Sequence, residues 1–194
     1  LQIDPTQADA YYYLGLIAEQ KQRWRQMYGL MQKATQSDKE HTGAKIKLVQ
    51  LMLLTKDVGG AEARISEILS KEPDNHKALV LKASLLVFQE DFESALAQLK
   101  LALVAGADKT EVLMLKATIA KKRSQNKKAI EFIDEALLTT EEKLPLYLFK
   151  VELFGENNDL EKAVVKIYPK VKKIIAYIKS QKGCYFSRIT GSGS

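Results

Sequence analysis

Apolar residues recur along this chain at helical spacing, in segments separated by short polar breaks. Leu79, Ala83 and Leu86 fall at i, i+4 and i+7, which gathers them on one face of a helix and not of a strand. The breaks read "KQR" at 21–23, "TKD" at 55–57, "QED" at 89–91, "SQN" at 124–126 and "NND" at 157–159. Each separates a first helix from a second. Asp91 and Asp159 stand where a carboxylate favours the positive end of the helix that follows. Asn158 suits a left-handed turn residue, and the other breaks have no Gly or Asn at that place. "DP" at 4–5 and "EPD" at 72–74 mark ends between units, because proline cannot continue a helix.

Small residues interrupt the apolar stripes on a fixed ruler. Shifted by 34 positions, Leu79, Leu81, Lys82, Ala83, Ala95, Ala102 and Leu103 coincide with Leu113, Leu115, Lys116, Ala117, Ala129, Ala136 and Leu137. The same ruler divides the chain into units 8–41, 42–75, 76–109, 110–143 and a degenerate 144–175. A small residue recurs in the second helix as Ala61, Ala95, Ala129 and Ala163, with Met27 in the first unit. Four places later stand Met31, Ile65, Leu99, Ile133 and Ile167. Two antiparallel helices joined by a short turn approach to about 8–10 Å. The alanines permit that approach, and the large residues fill the space beside it. The expected fold is all-α, built of helix-turn-helix repeats.

These positions resemble the tetratricopeptide repeat. The first unit carries Tyr11, Leu14, Gly15, Ala18 and Ala34; the second Leu48, Met52, Ala61, Ile65 and Pro73; the third Leu79, Ala83, Leu86, Ala95, Leu99 and Ala102. The third also has "EDFESA" where the family has "GDYEEA". The likeness spans about residues 8–175, and Pro5 falls where the last proline of a preceding unit would fall. It implies a right-handed α-solenoid of about five 34-residue repeats. Lys82, Lys116 and Lys150 replace the family's leucine, so their stems are expected to snorkel outward. Pro169 and Lys170 spoil the second helix of the fifth unit, and the stretch over 170–183 reads as a capping helix for the last apolar face.

The resemblance also implies a concave groove lined by the first helices. Its residues here are Tyr12, Tyr13, Leu16, Ile46, Gln50, Leu53, Val80, Ser84, Val87, Phe88, Met114, Thr118, Lys121, Leu148 and Glu152. That apolar strip suits an amphipathic helix or extended peptide of a protein partner. Burial of the same positions against neighbouring units is the alternative. One subclass of the family grips C-terminal carboxylates with Lys, Asn and Arg. Its positions hold Tyr12, Leu16, Lys47, Lys77 and Leu81 here, so the asparagines are absent. Two further readings stand beside the groove. Open solenoid ends would stack on other copies of the chain. Alternatively Lys162, Lys166, Lys170, Lys172, Lys173, Lys179 and Lys182, with no acid among them, form a basic amphipathic segment for an anionic membrane surface. Nucleic acid is not expected, since Tyr168, Tyr177 and Tyr185 are too scattered to stack bases.

Composition changes this picture little. The 194 residues are 46% hydrophobic and 28% charged, a globular balance, and the net charge of +6 favours anionic partners. No long uncharged apolar run is present, and no signal peptide is visible. The chain begins at Leu1, which suggests a piece of a longer protein, and its closing "GSGS" at 191–194 reads as a linker or tag remnant. The style of the units looks bacterial, in keeping with envelope or export assemblies, and the compartment expected is cytoplasmic or periplasmic. A lone Cys184 staples nothing. His41 and His76 have no second ligand at metal spacing, and no phosphate loop or nucleophile elbow occurs. No cofactor and no enzymatic activity are expected.

Overall fold

The computed structural model describes residues 5–155, and every element among them is an α-helix. In chain order these are α1 Pro5–Gln20, α2 Trp24–Ser37, α3 Thr42–Leu54, α4 Val58–Lys71, α5 His76–Phe88, α6 Phe92–Val104, α7 Lys109–Lys122, α8 Asn126–Ala136 and α9 Leu144–Gly155. The chain divides into two compact units, one running to Leu115 and the other starting at Lys116, within α7. The fifth repeat's second helix, the expected capping helix, the seven lysines and Cys184 all lie outside the described residues.

In the first unit the helices pack in sequence: α1 on α2, α2 on α3, α3 on α4, α4 on α5 and α5 on α6, with α3 also touching α5. The second helices contribute one narrow stripe each. They bury Met27, Met31 and Ala34 from α2, Ala61, Ile65 and Ile68 from α4, and Ala95, Leu99 and Ala102 from α6. Ala18, Met27, Met31 and Ala34 form one core cluster with Ala44, Leu48 and Leu51 of α3. Ile46, Val49, Ala61, Ile65 and Ile68 form the next with Ala78, Leu81 and Leu85 of α5. Gly15 admits the closest approach, since a Cβ there would lie 2.5 Å from the Met31 methyl carbon.

The turns inside the pairs share one geometry. Gln22, Lys56, Glu90 and Ser124 all have φ near +60°, although none is glycine. Each stands 34 residues after the last. In every case its own N–H and the next one close the preceding helix through backbone carbonyls. Gln22 and Arg23 donate to Glu19 and Ala18, Lys56 and Asp57 to Leu53 and Met52, Glu90 and Asp91 to Val87 and Leu86, Ser124 and Gln125 to Lys121 and Ala120. This is the Schellman arrangement. Backbone hydrogen bonds therefore hold a conformation that these side chains disfavour by about 1–2 kcal/mol.

Helix starts are capped by side chains. Asp57, Asn75, Asp91 and Asp108 accept the N–H three residues on, and His41 does so through Nδ1. Asp91 thus acts by a hydrogen bond to Ser94, beyond the dipole interaction read from the sequence. Pro5 differs from its reading as an end signal. It opens α1, at the one helical turn where a missing N–H costs nothing.

In the second unit α8 buries Ala129, Ile133 and Ala136 and packs on α9. Lys150 does not snorkel to water as expected. It is buried, and its ammonium ends on the Asp134 carboxylate. Lys116 lies over the Phe132 ring, 6.0 Å from its centroid.

Candidate partner-binding surface

The first helices of the first unit bring a cavity of about 160 Å³ together from Tyr12, Gly43, Ile46, Lys47, Gln50, Lys77, Leu81 and Glu111. Ile46 and Leu81 are buried and form its apolar floor. Tyr12 is fixed from two sides. Its ring lies 4.8 Å from the His41 ring, and a Cβ on Gly43 would sit 3.2 Å from Cζ of Tyr12. Because His41 caps α3, the start of that helix and the tyrosine are set by the same residue. Lys47 is tied to Glu19 at 2.7 Å. Glu111 remains exposed as a residue, yet its place in the cavity wall partly desolvates the carboxyl and raises its pKa. The Asp108 charge adds to that rise, while His76 and Lys77 oppose it. An amide, a phenol, two ammonium groups and a carboxyl thus surround an apolar floor.

Of the residues singled out from the sequence, Tyr12, Ile46 and Gln50 line this cavity. Tyr13 and Phe88 are exposed in the same unit, with Tyr13 edge-on to Tyr12 at 5.6 Å between ring centroids. Leu16 and Leu53 are half-buried against the two core clusters. Val80 and Val87 are buried, so they serve packing and are not open to a partner in this conformation. Ser84 is half-buried, and its hydroxyl donates to the Val80 carbonyl at 3.0 Å. Met114 is half-buried. In the second unit Lys121 pairs with Glu152 at 2.6 Å and lies over the Phe149 ring, while Thr118 is half-buried and Leu148 exposed.

Gly43, Lys47, Lys77, Leu81 and Glu111 were absent from the groove residues inferred above. A signal for three of them did exist. Tyr12, Lys47, Lys77 and Leu81 are four of the five places compared with the carboxylate-binding subclass, and they converge on the cavity; Leu16 turns into the core instead.

Comparison with known proteins agrees with this architecture. The tetratricopeptide repeat family model matches residues 56–119. A thermophilic protein of this repeat class from Thermus thermophilus aligns over 88% of this chain and 96% of its own, at 16% identity and a TM-score of 0.72. PilF of Pseudomonas aeruginosa aligns over 95% of both chains at 16% identity and 0.65. Yeast Tom70 aligns over 99% of this chain and 45% of its own, at 19% identity and 0.59. No curated protein matches by sequence. The described residues have the all-α, helical-repeat fold of these structures, and within them residues 56–119 match the tetratricopeptide repeat. A model of the C-terminal region of GHMP kinases also matches residues 148–194, mostly outside the described residues. No described helix is long and apolar enough to cross a membrane.

Proposed function

We propose that this protein is a non-catalytic interaction scaffold that holds a peptide or helix of a protein partner on the surface of its first helices. The repeat division 8–41, 42–75, 76–109, 110–143 and 144–175 belongs to this reading. The observation that carries it is the cavity of Tyr12, Gln50 and Lys77 over the Ile46–Leu81 floor. It is about the size of one large apolar side chain, and polar groups ring it as they do in sites that fix a ligand's orientation. Exposed Tyr13, edge-on to Tyr12, adds aromatic surface beside it. Lys77 and Gln50 offer donors to a peptide carboxylate or carbonyl beside the anchored side chain.

Affinity capture with the intact chain tests this, comparing wild type with Gln50→Arg/Lys77→Glu. Both positions are at least partly exposed, so wild-type helicity is expected from circular dichroism. A partner retained by the wild type and lost by the double variant supports the cavity as the recognition site. Equal capture by both overturns it.

A further inference from the structure

The turn between α1 and α2 exposes Lys21, Arg23, Trp24 and Arg25, and among the described residues no carboxylate pairs with any of the three cations. Two chain reversals, at 21–23 and 38–41, separate α1 from α3, so both helices end on the same side of the first unit. There the next turn adds Lys56 and Leu54, the latter 73% exposed. The one carboxylate over 21–25 and 54–57, Asp57, is engaged in capping α4. Exposure of the cations does not come from where the chain begins. α1 starts at the opposite end, and the same registers stay open in repeats that have a predecessor. Thr55, Asp57 and Gly59 stand one repeat after Lys21, Arg23 and Arg25, and Gln89, Asp91 and Glu93 two repeats after; all six are exposed and none is basic. Trp24 is 49% exposed where Val58 and Phe92 are half-buried, the indole being the largest side chain of the three. Asp57 and Asp91 cap their helices, whereas Arg23 in that place makes no side-chain cap bond. Arg23 and Arg25 also stand at the positive end of α2, where a carboxylate is favoured. These two cations therefore do not serve the folding of the turn.

We infer that these two turns dock on an anionic lipid surface, with Lys21, Arg23, Arg25 and Lys56 at the head groups and Trp24 and Leu54 in the interfacial layer. Charge complementarity names an anionic partner: four cations stand against a single carboxylate that is already engaged. The apolar residues name lipid among anionic partners. An indole flanked by guanidinium groups matches the boundary between head groups and acyl chains, where tryptophan concentrates. Leu54 gives a nucleic-acid base nothing to stack on, yet gains from leaving water in that layer. The groups also stand on chain reversals at one end of the unit, which presents them to a flat partner. An acidic peptide would be met instead in a groove or along a helix face. The inference does not rest on the cavity of Tyr12, Gln50 and Lys77.

Trp24 is the only tryptophan in the chain, so its fluorescence reports on this place alone. The intact chain is titrated with vesicles of phosphatidylcholine containing phosphatidylserine, and with vesicles of phosphatidylcholine only. With the anionic vesicles, Trp24 emission is expected to shift to the blue and to be quenched by acyl-brominated lipid. High salt is expected to abolish both changes, and neutral vesicles to cause neither. Arg23→Gln/Arg25→Gln keeps the reporter and, at exposed positions, the helicity; it is expected to weaken partitioning about thirtyfold. Lys127→Gln/Lys128→Gln removes the same charge from exposed positions of the second unit and is expected to bind nearly as the wild type does. No binding to anionic vesicles overturns the inference. Co-sedimentation with vesicles while Trp24 emission stays unchanged overturns the place and assigns docking to another surface. An equal loss in the two double variants also overturns the place, since net charge then suffices. A blue shift with soluble poly-glutamate or an oligonucleotide, and none with vesicles, overturns lipid as the partner.

Discussion

Two neighbouring helices, α5 and α6, have the same length and a similar apolar content but bury it in different ways. α5 buries Ala78, Leu79, Val80, Leu81, Ala83, Leu85 and Val87, positions that run all round the helix. α6 buries Ala95, Leu99 and Ala102, one stripe, and leaves Leu101, Leu103 and Val104 in solvent. The difference comes from place in the array. A first helix is gripped by its own partner and by the preceding pair, whereas a second helix closes the layer from outside. Apolar sequence alone therefore does not say how much of a helix is buried; the number of neighbours does.

Alanine substitutions give the largest contrast. Leu81→Ala in α5 and Leu99→Ala in α6 are each expected to cost about 2–5 kcal/mol, and Leu101→Ala less than about 0.5. Urea unfolding of the three variants measures this, and similar losses for Leu81 and Leu101 would break the comparison. Enlargement gives the next effect. Ala95→Leu overpacks the crossing and is expected to cost about 1–3 kcal/mol, while Ala97→Leu, one stripe away and exposed, should be near neutral. The turn between the two helices sharpens the point at lower energy. Glu90→Gly relieves a left-handed residue and is expected to raise stability by up to about 1 kcal/mol, whereas Ala97→Gly in the exposed helix face lowers it by about 1. Thermal melts of this pair should move in opposite directions.

Acid titration gives the smallest effect. The Glu72 carboxyl, at the junction of α4 and α5, is held below its ordinary value of 4.5 by hydrogen bonds from Thr42 and Asn75 and by the Lys45 charge. A depressed carboxylate adds stability above its unfolded pKa and loses it as pH falls through the folded one. Glu72→Gln should therefore lose less stability than the wild type between about pH 4.5 and the acid limit of folding. Parallel pH–stability curves would remove this contact from the account.

The helices and their turns were legible because the 34-residue ruler fixes alanines at crossings, and crossings dictate where chains must turn. The two-sided burial of first helices was not. Ile46, Val80 and Val87 have the same apolar character as exposed Phe88, and only the second neighbour separates them. The cavity was legible in part. Tyr12, Ile46 and Gln50 follow from the register, but Gly43 and Glu111 come from the start of α3 and of the fourth first helix, where the repeat pattern is silent. Burial of Lys150 depended on Asp134, 16 residues earlier on another helix. The place of the turns was legible, but the left-handed conformation of Gln22, Lys56, Glu90 and Ser124 had no side-chain signal, because the hydrogen bonds that hold it run between backbone groups.

Those four turns carry a consequence for how such a chain changes over generations. A loop that closes on its own backbone needs no particular residue to stop the helix before it. Copying or deleting 34 residues in frame leaves every remaining turn with its donors and acceptors intact. Mutation is free to rewrite Gln22, Lys56, Glu90 and Ser124 independently, as their differing chemistry records. The gene can lengthen or shorten the array without redesigning a junction.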